Sequence, residues 1–288
     1  MDYSPRYTNN WQLKYQYQIK LCNELQPKLL LIGDSLVAGL SRYPAVWNEF
    51  FEPLNSINFG ISGDRVENVL WRSIHLPLPP SLSKVVILCG SNNLSGSTSY
   101  DICDGLIDIG LSFRKKKSSL DIFICALLPR DEKWSVNRVY ITEVNKLLKS
   151  KCKKFQLNFI EQDYGWIQEN YTLNTSLYYR DNLHLVENGN SKLAKSIVCE
   201  LDKVSSPLIL NSNENISITY DKEFPSLSSS IALTSKINKN VKYSSVCTKK
   251  PPKCLSKSVK PVVSKHFHNV VKNVPNQHVN FSYPCSVC

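Results

Sequence analysis

The amino-terminal 204 residues of this 288-residue chain predict an α/β fold, a parallel sheet covered by helices on both faces. Three observations carry that expectation. Short apolar runs of strand length alternate with amphipathic stretches of helical period. Several of the runs, such as LLLI and VVILC, are continuous rather than alternating, as strands buried on both faces require. The patterning also stops at Ser205, beyond which Ser, Asn, Lys, Val and Pro dominate.

The elements follow in order. Lys28 to Ile32 (KLLLI) reads as a buried strand ending at Gly33. Pro44 to Phe51 places Val46, Trp47, Phe50 and Phe51 at helical spacing, and Ser56 to Phe59 is a second strand closed by Gly60 and Gly63. Val66 to Ile74 is helical in period and stops at the prolines 77, 79 and 80. Lys84 to Cys89 (KVVILC) is a third strand, and Asp101 to Arg114 sets Ile102, Leu106, Ile109 and Phe113 on one helical face. Leu120 to Leu128 is a fourth strand ended by Pro129, and Val136 to Lys149 a helix. Phe155 to Ile160 is a fifth strand, and Glu187 to Leu201 a closing helix.

Charge divides unevenly along the chain. Of the formal +11, residues 205–288 hold eleven lysines against Glu214, Asp221 and Glu223, a net +8 that leaves +3 for the rest. A one-signed, aromatic-poor stretch buries too little apolar area to offset its chain entropy, so this tail is expected to be disordered. Its charge suits nucleic acid or an anionic surface, and suits a plain linker equally well. The first twenty residues contain no continuous apolar segment of signal-peptide type. The longest apolar run, Ile122 to Leu128, falls far short of the ~18 residues of a spanning helix. A cytoplasmic chain is expected, with the nucleus as the alternative, and its ten cysteines are then expected to be mostly reduced thiols.

Reactive groups of parallel sheets gather at the carboxyl ends of the strands. The first strand ends in Gly33-Asp34-Ser35-Leu36, where a serine at a strand-to-helix turn is either an exposed nucleophile or a helix cap. After the second strand comes Asn58-Phe59-Gly60-Ile61-Ser62-Gly63-Asp64, whose glycines let backbone N–H groups approach a ligand. The third strand ends in Gly90-Ser91-Asn92-Asn93, where a carboxamide can donate to an oxyanion. Only two histidines precede residue 205, His75 and His184. His75 lies by the prolines with no acid suitably spaced, whereas His184 follows Asp181 by three residues, close enough for the carboxylate to hold its Nδ1. Singly each piece reads as a turn or a cap; together, in this order at strand ends, they point to acyl-transfer chemistry.

These blocks resemble the SGNH (GDSL) hydrolase family over about residues 11–203. NFGISGD followed by VLWR, the GSNN block and a Trp-containing segment before the first strand look most like the branch of intracellular platelet-activating-factor acetylhydrolase catalytic subunits. The resemblance implies a three-layer flavodoxin-like sandwich around a five-stranded parallel sheet. It implies hydrolysis of short-acyl esters of a lipid or carbohydrate, with no metal or cofactor. Ser35 would be nucleophile, His184 base and Asp181 its support, with Ser35, Gly63 and Asn92 forming the oxyanion hole. A homodimer is implied by the same analogy.

The tail, residues 205–288, ends in Cys285-Ser-Val-Cys288, the Cys-x2-Cys spacing of half a zinc site, and resembles the opening of a PHD-type zinc finger. No bound metal is expected there, since no second pair has matching spacing. Esterase domains of this family also occur in first open reading frames of some non-LTR retrotransposons, beside nucleic-acid-binding segments. The rival expectation is therefore a non-catalytic module binding nucleic acid through its tail.

Overall fold

The computed structural model describes residues 4–6, 8–162 and 165–205; the expectations for the tail lie outside these residues. Five parallel strands, β1 (Leu29–Gly33), β2 (Ser56–Gly60), β3 (Lys84–Leu88), β4 (Asp121–Cys125) and β5 (Asn158–Ile160), form one sheet in the order β2-β1-β3-β4-β5. Among the described residues they are accompanied by the helices α1 (Asn9–Leu25), α2 (Ser35–Leu40), α3 (Pro44–Phe50), α4 (Val66–His75), α5 (Ser99–Lys116), α6 (Val136–Lys154) and α7 (Glu187–Ser205). This strand order is the flavodoxin-like, doubly wound one.

The central strands are mostly apolar because both faces are covered, with side chains alternating between two cores. Leu30, Ile32, Phe59, Val85, Ile87 and Ile124 pack with α1, α4, α5 and α6 on one face. Leu29, Leu31, Val86, Leu88 and Phe123 pack with α2, α3 and α7 on the other. The three-layer sandwich is therefore as the sequence predicts.

Three details differ. α1 has no counterpart among the expected elements; it buries Trp11, Tyr15, Gln18 and Cys22 while leaving Leu13, Tyr17 and Leu25 exposed. β4 ends at Cys125 because the Asn145 carboxamide of α6 replaces a strand neighbour, accepting from Leu127 N (2.8 Å) and donating to Leu127 O (2.9 Å). β5 begins at Asn158, because α6 runs on to Lys154 and Gln156 turns through a left-handed conformation (φ 55°) before the strand.

Candidate active site

The strand order decides which loops meet. β1 lies between β2 and β3, with Gly33 in register with Gly60 on one side and Leu88 on the other. The loops carrying Ser35, Gly63 and Asn92 therefore leave neighbouring strand ends. Close approach here needs glycine: a Cβ on Gly33 would lie 1.8 Å from Leu88 O, and one on Gly60 would lie 2.1 Å from Ala38 N.

Ser35 opens α2, half-buried, directly after Asp34, whose Oδ1 caps the helix by accepting from Leu36 N at 2.9 Å. Burial pushes the Asp34 carboxyl up to about 7, against the hydrogen bond from Leu36 N, with the Asp64 charge adding to the rise. His184 stands on the loop before α7, 149 residues from Ser35, with Nε2 2.9 Å from Ser35 Oγ. Its Nδ1 lies 2.6 Å from Asp181 Oδ2, while Asp181 Oδ1 accepts from the N–H groups of Leu183 and His184, both at 3.0 Å. Partial burial opposes ionisation of Asp181, yet the His184 ring and these backbone donors outweigh it and hold the carboxyl below its usual range. The loop is itself fixed: Tyr179 N donates to His184 O at 2.8 Å, Asp131 N to Asn182 O at 3.2 Å, and the Tyr43 and Tyr179 hydroxyls meet at 2.5 Å.

Gly63 turns through φ 77°, a backbone conformation suited to glycine. Asn92 lies in a 3₁₀ turn after β3, and its Nδ2 donates to Asp64 O at 2.9 Å, which joins the Asn92 loop to the Gly63 loop. One of the two Asn92 amide hydrogens is committed to that bond. Among the described residues the backbone N–H groups of Ser35 and Gly63 have no hydrogen-bond partner. Ser35, His184 and Asp181 are thus brought into one hydrogen-bonded line, and Gly63 and Asn92 are linked through Asp64. His75 lies apart, stacked on Trp71 with Nδ1 2.7 Å from Trp71 O.

Beneath these loops is a buried ion pair that motif reading did not single out. Arg72 Nη2 lies 2.7 Å from Asp64 Oδ2, both side chains fully buried. Arg72 also donates to Phe59 O (2.6 Å) and Gly33 O (2.9 Å), and Trp11 Nε1 donates to Asp64 Oδ1 (2.7 Å). Both residues stand inside the NFGISGD and VLWR blocks, so the signal was present without its spatial meaning. Among the described residues no group of three His, Cys, Asp or Glu side chains is arranged to hold a metal ion. The six cysteines described are free thiols, and no described helix is long and apolar enough to cross a membrane.

Fold and site together define an α/β hydrolytic enzyme: residues 31–192 match the GDSL-like lipase/acylhydrolase family, and the chain belongs to that family. Among its relatives are the platelet-activating factor acetylhydrolase IB subunits. The alpha2 subunit of Homo sapiens is 28% identical over 190 residues, covering 66% of this chain and 82% of the relative. The human alpha1 subunit is 27% identical over 188 residues, covering 65% and 80%. Among solved structures, a GDSL-like lipase from Bacteroides thetaiotaomicron shares the fold (TM-score 0.54, 16% identity, 68% of this chain and 98% of that one). So does an acetylxylan esterase from Geobacillus stearothermophilus (TM-score 0.50, 17% identity, 61% and 94%).

Proposed function

We propose that this hydrolase cleaves short-acyl, acetyl-type carboxylic esters of a lipid or carbohydrate, with Ser35 as nucleophile. The observation that carries the reading is the line Ser35 Oγ, His184 Nε2, His184 Nδ1, Asp181 Oδ2, with separations of 2.9 and 2.6 Å. Ser35 Oγ attacks the acyl carbon as His184 Nε2 takes its proton, and Asp181 holds the imidazole in the tautomer that can accept it. The oxyanion of the tetrahedral intermediate accepts from the N–H groups of Ser35 and Gly63 and from the uncommitted hydrogen of Asn92 Nδ2. His184 then protonates the departing alkoxide, leaving Ser35 acylated. Water, losing a proton to His184, attacks the acyl group and releases the acid. The acetyl preference is suggested by the names of the acetylhydrolase relatives.

The test is turnover of p-nitrophenyl acetate, butyrate and octanoate by wild type and Ser35→Ala, together with labelling by a fluorophosphonate. Wild type is expected to cleave the acetate fastest, and Ser35 to be the labelled serine. Equal turnover by wild type and variant would refute the assignment.

A further inference from the structure

We infer that Arg130 is a specificity-determining residue that binds an anionic substituent, carboxylate or phosphate, on the alcohol part of the ester. This assignment rests on the esterase reading above. Arg130 follows Pro129 after β4, the strand beside β3, and its Nη1 approaches Ser91 O at 3.5 Å, one residue before Asn92. On its other flank Tyr178 Oη donates to Pro129 O (2.9 Å), and Asp131 N donates to Asn182 O (3.2 Å), between Asp181 and His184. The backbone around Arg130 is therefore bound to the loop of the candidate base, while its guanidinium reaches the loop of the candidate oxyanion donor.

Arg130 is under-engaged compared with the other partly or fully buried arginines. Arg72 is bound by Asp64 and two carbonyls. Arg65 is held by Glu67, Asn92 O and Ser97, and Arg138 donates to the carbonyls of Arg130, Asp131, Glu132 and Tyr171. Among the described residues the Arg130 side chain makes two long contacts, Nη1 to Ser91 O and Nε to Asp131 Oδ1, each 3.5 Å. Its Nε, like that of Arg72, is buried without a hydrogen bond, and so is the hydroxyl of Ser91. Against its partial burial, Asp131 is held ionised by Ser135 Oγ (2.6 Å), Asn137 Nδ2 (2.9 Å) and Arg130, and it meets the guanidinium only at the Nε edge, which leaves the Nη2 edge without a partner among the described residues. The open Nη2 edge of a loosely held guanidinium suits carboxylate or phosphate. The charge belongs on the alcohol, since an acetyl group has no room to carry one.

The test compares 4-acetoxybenzoate and 4-acetoxyphenyl phosphate with neutral 4-acetoxybenzamide in the full chain, as wild type, Arg130→Gln and Arg130→Lys. Wild type is expected to favour at least one anionic ester by about tenfold or more in kcat/KM, a preference that shrinks as salt rises. Arg130→Gln should bring the anionic-to-neutral ratio near one, and Arg130→Lys should keep part of it. The larger of the two anionic ratios identifies the substituent. A wild-type ratio near one overturns the assignment whatever the variants do, and so does an Arg130→Gln loss that is equal for all three esters. If wild type cleaves none of them and fluorophosphonate leaves Ser35 unlabelled, the esterase reading falls and this assignment with it.

Discussion

Asp64 and Arg72 face each other at 2.7 Å with no solvent at either side chain, and Arg72 also grips the carbonyl of Gly33, two residues before Ser35. The pair thus fastens the end of β1 to the loop that begins at Gly60. Removing one partner of such a pair leaves a buried charge uncompensated. Arg72→Met is expected to lower unfolding free energy by about 3–5 kcal/mol, and Arg72→Met with Asp64→Leu to lower it less. Urea denaturation of the three proteins checks this, and a double variant weaker than the single one would show that the charges do not act as a pair.

Asn92 tests the oxyanion assignment apart from the nucleophile. Asn92→Ala removes one donor, and kcat on p-nitrophenyl acetate should fall by about 10²–10³ with KM little changed. A rise in KM at constant kcat would instead place Asn92 in ground-state binding.

Activity should decline as pH falls, because His184 accepts a proton only as the neutral imidazole. Asp181 is held below its usual range, so it stays ionised to lower pH than an ordinary carboxyl, and the acid limb of kcat/KM should report one proton. Asp181→Asn should reduce kcat by on the order of 10⁴ without unfolding the chain. A limb of slope two would mean that activity requires the loss of a second proton.

Asp34 makes a separate prediction about stability. Its carboxyl, raised to about 7 in the fold, binds a proton more tightly there than in the unfolded chain. Its contribution to stability is therefore complete below about pH 4 and is lost as pH rises through about 7. Asparagine keeps the oxygen that accepts from Leu36 N and removes the titration. The unfolding free energy of wild type relative to Asp34→Asn should consequently fall between pH 4 and 7 and level off below. A flat difference across that range would place the Asp34 titration elsewhere.

The lysine-rich stretch 205–288 is proposed to be separable from catalysis, since every proposed catalytic residue precedes it. A chain ending at residue 204 should unfold cooperatively and retain its esterase activity. If the stretch contacts phosphates, the full chain should bind single-stranded RNA at low salt, the shortened chain should bind much less, and affinity should fall steeply with salt. Fluorescence anisotropy of both chains at two salt concentrations decides this; equal binding by the two would move any such site before residue 205.

What the sequence determined by itself is the alternation of strands and helices and the roster of groups at the strand ends. Both are local signals. A run such as KLLLI has no polar face to expose, and Gly33, Gly60 and Gly63 mark where the backbone must turn or pack closely. The order Ser35, Gly63, Asn92, Asp181, His184 could therefore be read directly against the expected strand ends. The tertiary structure alone decided what depends on contacts between distant segments. The buried stripe of α1 includes Gln18, whose amide reaches Gly60 O at 3.2 Å, while apolar Leu13 and Leu25 point outward, so its period is blurred until β2 lies beside it. Asp64 and Arg72 carry charge, and a charge read in isolation belongs in water; burial becomes tolerable only when the partner and the carbonyls of Phe59 and Gly33 converge on it. Arg130 is likewise one more basic residue in the sequence. Its place between Ser91 and the segment bound to Asn182 comes from the packing of β3 beside β4, which no local pattern encodes.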